Sequence, residues 1–162
     1  MHTILVPVDG SDHALKALHI ACDLAEKYDG RIALLHVLAE GRRAGELLGL
    51  VTANTFGLKL KEALQEAAKK TSVPVPKNLL KEVGAKILDQ AASKVRRRGI
   101  EADILAIEVG EPAESILIAH KRTGASTIVM GCRGVSKSNA SSFGSVSNTV
   151  FEKAACTCLS VK

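Results

Sequence analysis

Short runs of branched apolar residues recur along this chain, from Ile4 to Val8, Ile32 to Leu38, Ile104 to Ile107, Thr127 to Met130 and Cys158 to Val161, and each reads as a strand buried on both faces. The stretches between them carry helical spacing. The first is Leu15, Leu18, Cys22 and Ala25, with Ser11 as N-cap and Gly30 as its close. A later one begins at Pro112 behind Gly110, has Glu114 in its first turn and continues as Ile116, Leu117 and Ala119. Strands alternating with helices predict an α/β fold: a parallel sheet joined by right-handed crossovers, with helices on both faces. Ligands in such sheets bind beyond the carboxyl ends of the strands, where the winding reverses.

The stretch 39–78 is less regular. It combines a loop containing Gly and Arg, a helical pattern from Leu58 to Lys70, and a break from Val73 to Pro76. Two prolines, Pro74 and Pro76, keep that helix separate from a longer one expected from Leu79 to Arg98. Nothing else suggests a linker, so residues 1–162 are expected to form one domain with 39–78 as an irregular insertion.

Composition narrows the function classes. Aromatic residues make up 2% of the chain and Trp is absent, which removes the stacking platforms expected of a nucleic-acid binder. The net charge of +5 is spread over clusters such as Arg96 to Arg98 and Lys121 with Arg122, which read as solvated faces. No apolar run is long enough to span a bilayer and none reads as a signal peptide, so a cytoplasmic location without membrane insertion is expected. Cys22, Cys132, Cys156 and Cys158 lack metal-ligand spacing and read as reduced thiols in apolar positions; Cys156 and Cys158 share one strand face. The histidines His2, His13, His19 and His120 build no metal site, and His36 reads as a core histidine.

Two strand ends carry unusual chemistry: Asp9 with Gly10, and the segment that follows Met130. That segment reads Gly131, Cys132, Arg133, Gly134, nine residues, then Gly144, Ser145, Val146 and Ser147 at the start of a helix pattern. Glycines let backbone amides approach a phosphate, a helix N-terminus offers free N–H groups, and the two serine hydroxyls and Arg133 would add donors. Ordinary turn glycines with a serine N-cap explain the same residues. Asp9 suits either a ligand contact or an Asx turn. Cys132, beside Arg133 and a helix N-terminus, is either an oxidant-sensitive thiol or an inert small residue.

The spacing Gly, two residues, Gly, nine residues, Gly, Ser resembles the nucleotide loop of the ATP-binding branch of the universal stress protein family. The resemblance continues through Ile4 to Ser11, His36-Val37 and Gly110 to Ala113, leaving out 39–78. It implies a three-layer sandwich with a five-stranded parallel sheet in the order 3-2-1-4-5. It also implies an ATP site, with or without Mg2+, at the reversal point. On that reading Val8 and Val37 form the adenine pocket, Val37 mainly through its backbone, Met130 floors it, and Pro7 is a further nucleotide-binding residue. Asp9 meets the ribose or a metal-linked phosphate. Gly131, Arg133, Gly134, Gly144, Ser145, Val146 and Ser147 form the phosphate loop.

The resemblance further implies a homodimer, and the C-terminal strand, with an open edge, is the expected interface. No catalytic residue is assigned: without a general base poised beside the loop, hydrolysis is expected to be slow at most, and ATP to act as a regulatory ligand toward a protein partner. The alternatives fit less well. A P-loop enzyme needs a second glycine before Lys137, a flavodoxin-like module needs aromatics around its flavin, and a nucleotide-free family member acting through partners has no use for the intact glycine spacing.

Overall fold

The computed structural model describes residues 2–39, 44–49, 56–69, 74–134 and 144–162. The nine-residue loop 135–143 and parts of the stretch 39–78, Arg42, Arg43 and Val73 among them, lie outside the described residues.

Strand β1 (Thr3–Pro7) is followed by helix α1 (Asp12–Lys27), β2 (Arg31–Leu35), β3 (Val37–Leu38), α2 (Ala44–Leu48), α3 (Leu58–Lys69) and α4 (Lys77–Arg97). Then come β4 (Ala102–Ile104), β5 (Glu108–Val109), α5 (Pro112–Thr123), β6 (Thr127–Gly131), α6 (Ser145–Lys153) and β7 (Thr157–Val161). The main sheet runs β4-β2-β1-β6-β7, every pair parallel. Counted among its own members in chain order, this is the expected 3-2-1-4-5 sheet. Winding reverses between β1 and β6, so their carboxyl ends, at Pro7 and Gly131, stand side by side.

Side-chain alternation sorts the core into two layers. Ile4, Val6, Ile32, Leu34 and Val129 face α1 and α4, whereas Leu5, Ala33, Leu35, Ile128 and Met130 face α5 and α6. Ala44, Leu47, Phe56, Leu60, Leu64 and Val75 join the first layer, so the described parts of the irregular insertion extend the core. Each fully buried branched side chain of this kind contributes about 1.5–3 kcal/mol.

Two expected strands are shorter than their apolar runs, for a local reason. The run from Ile32 to Leu38 breaks at His36, because Val8 N–H donates to Leu35 C=O (2.8 Å) and the His36 ring then takes Val8 C=O through Nδ1 (2.7 Å). A carbonyl only accepts, so Nδ1 of the ring is the donor and carries a proton. Beyond this point β3 pairs with β5 in a separate two-stranded ribbon. The third run, expected as a strand from Ile104 to Ile107, is corrected: β4 covers Ala102–Ile104 and so shares only Ile104 with it, Leu105 to Ile107 belong to neither strand, and β5 begins beyond the run at Glu108.

Ser11 caps α1 as expected, accepting from Ala14 N–H at 3.2 Å. The helix closes differently: Asp29 takes the left-handed turn (φ 49°), and Gly30 N–H returns to Ala25 C=O at 2.8 Å. Gly30 is needed for space instead, since a Cβ there would lie 2.9 Å from His2 C=O. At α5, Glu111 is the cap, its carboxylate accepting from Glu114 N–H at 2.8 Å, with Pro112 in the first turn as expected.

Candidate functional site

Where the carboxyl ends of β1, β2 and β6 and the start of β3 meet the N-termini of α1, α5 and α6, the chain forms a pocket of about 210 Å³. Pro7, Val8, Asp9, Val37, Met130, Gly131, Arg133, Gly134, Gly144, Ser145, Val146 and Ser147, the twelve residues singled out from the sequence, all line it. So do Ala14, Leu35, Pro112 and Ile116, which sequence reasoning missed, and Cys132, which it read within the loop as an oxidant-sensitive or inert thiol. Leu35 was legible in principle, because strand alternation puts it on the same face as Leu5. Pro112 and Ile116 were read only as a helix start; their role as a wall depends on where α5 lands on the sheet.

One end of the pocket is apolar, walled by Pro7, Leu35, Val37, Pro112, Ile116 and Met130. Its polar feature is backbone. Glu108 N–H donates to His36 C=O (3.2 Å) and Gly110 N–H to Leu38 C=O (3.3 Å), so the residues on either side of Val37 turn toward β5. In a parallel ladder the intervening residue points its groups the other way. Val37 therefore presents one donor and one acceptor away from β5, on the side where β1 has ended and His36 has taken the Val8 carbonyl.

At the other end α6 begins at Gly144, which has extended backbone and supplies no side-chain cap. The first-turn amides and the positive end of the helix dipole thus face the pocket mouth. Gly144 N–H donates to Cys132 C=O at 2.7 Å, pinning the two ends of the loop together. Ser147 tightens the same joint: its buried hydroxyl lies 2.9 Å from both Cys132 C=O and Gly144 C=O. Its single hydrogen is thereby committed within the loop. The expectation that Ser147 adds a donor for a ligand is corrected accordingly, while Ser145 remains exposed.

Between the two ends lies Asp9. Its Oδ1 accepts from Ser11 N–H (3.0 Å) and from Ser11 Oγ (2.6 Å), the Asx geometry that sequence reasoning left open. Oδ2 faces the loop, where a Cβ at Gly134 would come within 2.8 Å of it. Gly131 has a different reason to be glycine: a Cβ there would lie 2.8–2.9 Å from backbone atoms of His13 and Ala14. It brings β6 against the first turn of α1. Cys132 is buried, its N–H donating to Val161 C=O at 2.8 Å.

His36 sits behind the site as a core residue. Among the described residues no group of three or more His, Cys, Asp or Glu side chains could hold a metal ion, and no helix is long and apolar enough to cross a membrane.

The family model for universal stress proteins matches residues 1–162. The chain belongs to the universal stress protein family. Universal stress protein YxiE of Bacillus subtilis (strain 168) is 33% identical over 159 residues, covering 98% of this chain and 97% of the relative. The universal stress protein UspA from Lactobacillus plantarum has a similar structure, with a TM-score of 0.66 at 21% identity over 99% of this chain and 97% of its own. A universal stress protein from Archaeoglobus fulgidus, solved in complex with dAMP, has a TM-score of 0.61 at 24% identity over 100% and 98% of the two chains. At these identities the structural likenesses establish the universal stress protein fold.

Proposed function

We propose that this universal stress protein binds ATP in the pocket between β1, β3 and β6 and acts as a nucleotide-dependent regulatory protein in a stress response. The observation that carries the reading is the pairing, within one pocket, of the Val37 backbone edge at the apolar end with the uncapped start of α6 at the other. Adenine offers a neighbouring donor and acceptor on one edge, the complement of the Val37 N–H and C=O, and its flat faces suit walls such as Ile116 and Met130. Phosphates suit the α6 amides and the Gly131–Gly134 turn. The dAMP of the Archaeoglobus fulgidus structure belongs to the same ligand class.

Asp9 is the carboxylate lining the pocket, held in place by Ser11. Its chemistry suits a ribose hydroxyl or a Mg2+ ion that takes its other ligands from phosphate and water. With one carboxylate, already an acceptor for Ser11, the pocket offers little to activate a water, so the chain binds ATP with slow hydrolysis at most. Among the described residues strand β7 pairs with β6 alone, which leaves an edge through which two copies of the chain join as a homodimer.

Isothermal titration with ATP and Mg2+ tests the binding: saturable heat is expected, and silence at millimolar nucleotide overturns the reading. Turnover above about one per second would contradict a regulatory role without fast chemistry.

A further inference from the structure

A second cleft, of about 220 Å³, lies on the face of the sheet that α1 and α4 cover. It shares Val8 and Ala14 with the proposed ATP pocket as a common wall, and its other lining residues stand outside that pocket. Arg98 ties the two helices at one end, reaching Asp23 and Glu26 of α1 at 2.6–2.8 Å. Toward the start of α1 the lining residues are small, Gly10, Ser11, Ala14 and Ala91, and the cleft opens among them. Concave apolar surface left to water forfeits about 25 cal/mol for each Å² that an occupant would cover.

The chemistry of the lining selects that occupant. Leu18, Phe56 and Ile87, each at most 6% exposed, form apolar walls, and Leu15, 39% exposed, stands at the opening. Gln90 and Lys94 stand one turn apart on α4. Lys94 is exposed, is the single charged residue among the described lining residues, and makes no ion pair with any described residue. A hydrocarbon body with one negative end complements this arrangement. Roughly 150 Å³ of apolar space holds a benzene ring, so about 220 Å³ has room for one ring and a short acid arm.

We propose that the cleft between α1 and α4 is a second ligand site for a single-ring aromatic carboxylate, its ring among Leu18, Phe56 and Ile87 and its carboxylate against the Lys94 ammonium. The site does not depend on the ATP reading, because Val8 and Ala14 alone belong to both linings.

The test titrates phenylacetate into the full chain and follows the protein by NMR, with phenethylamine as the control of opposite charge. Wild type is expected to bind phenylacetate at millimolar concentration or below, more tightly than the amine, with amide shifts at Leu15, Leu18 and Ala91. Lys94→Met keeps the apolar stem and should weaken binding about three- to fivefold, the worth of an exposed ion pair. Ala91→Leu fills the cleft and should weaken it at least about tenfold. Absence of shifts at millimolar phenylacetate, equal affinity for the amine, or undiminished binding by either variant overturns the proposal. Shifts centred on Val37 and Met130 would place the probe in the other pocket and overturn it equally. The shift map and the preference for acid over amine are read on wild type, so a variant that misfolds leaves both readouts standing.

Discussion

Gly131 and Gly134 stand three residues apart in one loop, yet a methyl group added to each meets different surroundings. At Gly131 it strikes the backbone of His13 and Ala14, which cannot retreat without lifting α1 from β6. Gly131→Ala is expected to lower stability by about 1–3 kcal/mol, as overpacked sites do. For a chain of this size that is a fall of several degrees in the melting midpoint. At Gly134 the methyl group strikes the tip of Asp9. Gly134→Ala should therefore melt close to wild type and bind ATP at least about tenfold more weakly, a change of about 1.4 kcal/mol. Calorimetric melts and ATP titrations on the two variants separate these roles; equal melting losses would remove the distinction. Ser147→Ala releases the joint between Cys132 and Gly144. It is expected to cost about 1 kcal/mol of stability by denaturant unfolding and to weaken ATP binding as well.

At the scale of elements, the point where β2 gives way to β3 holds the apolar end of the pocket open. His36 makes that transition by taking the Val8 carbonyl, and α4 accommodates the ring with a glycine in its buried face: a Cβ at Gly84 would lie 2.6 Å from His36 Cδ2. Two effects compete in Gly84→Ala. Helix propensity favours alanine by about 1 kcal/mol, whereas overpacking costs about 1–3 kcal/mol. The ring is tethered by its 2.7 Å bond to Val8, so the steric cost wins and net destabilisation is expected. In a His36→Ala background the same substitution should become stabilising. A double-mutant cycle by urea unfolding measures the coupling, and a coupling energy near zero would contradict this account.

Across the whole molecule, charge and protonation act mainly at the periphery. Arg98 joins α1 to α4 by pairing with Glu26 and Asp23 at the surface, and the fit lowers the Glu26 carboxyl below its ordinary range. At the opposite edge of the sheet, burial first and the neighbouring Cys156 second push Cys158 up to about 11 from 9.0. A native pKa above the unfolded one means that, above pH 9, the unfolded chain releases a proton that the folded chain retains. The Cys158 contribution is complete below pH 9 and is lost as pH rises toward 11. Stability should fall over that window, and Cys158→Ala should show a shallower fall. Denaturant midpoints measured across those pH values check this, identical slopes in the two proteins being the contrary result.

Much of the architecture was legible because it depends on local rules. Branched apolar runs must pair where both faces are covered, Ser11 and Pro112 mark helix starts whatever surrounds them, and alternation of strands with helices admits few topologies. The glycine loop and Asp9 were legible for a related reason: a glycine spacing with a helix start behind it is a local device, and its place at the sheet reversal follows from topology, whereas Pro7, Val8, Val37 and Met130 were placed only by the family resemblance. Tertiary structure decided the rest, because those outcomes depend on which distant atoms come to lie together. Only packing against α1 separates the purpose of Gly131 from that of Gly134. Only the Val8 carbonyl ends β2 at His36 within an unbroken apolar run, and only the joint between Cys132 and Gly144 turns Ser147 inward. Sequence, through its family resemblance, named twelve residues of the pocket; the fold added Ala14, Leu35, Pro112, Ile116 and Cys132 and decided which residues face a ligand and which hold the walls.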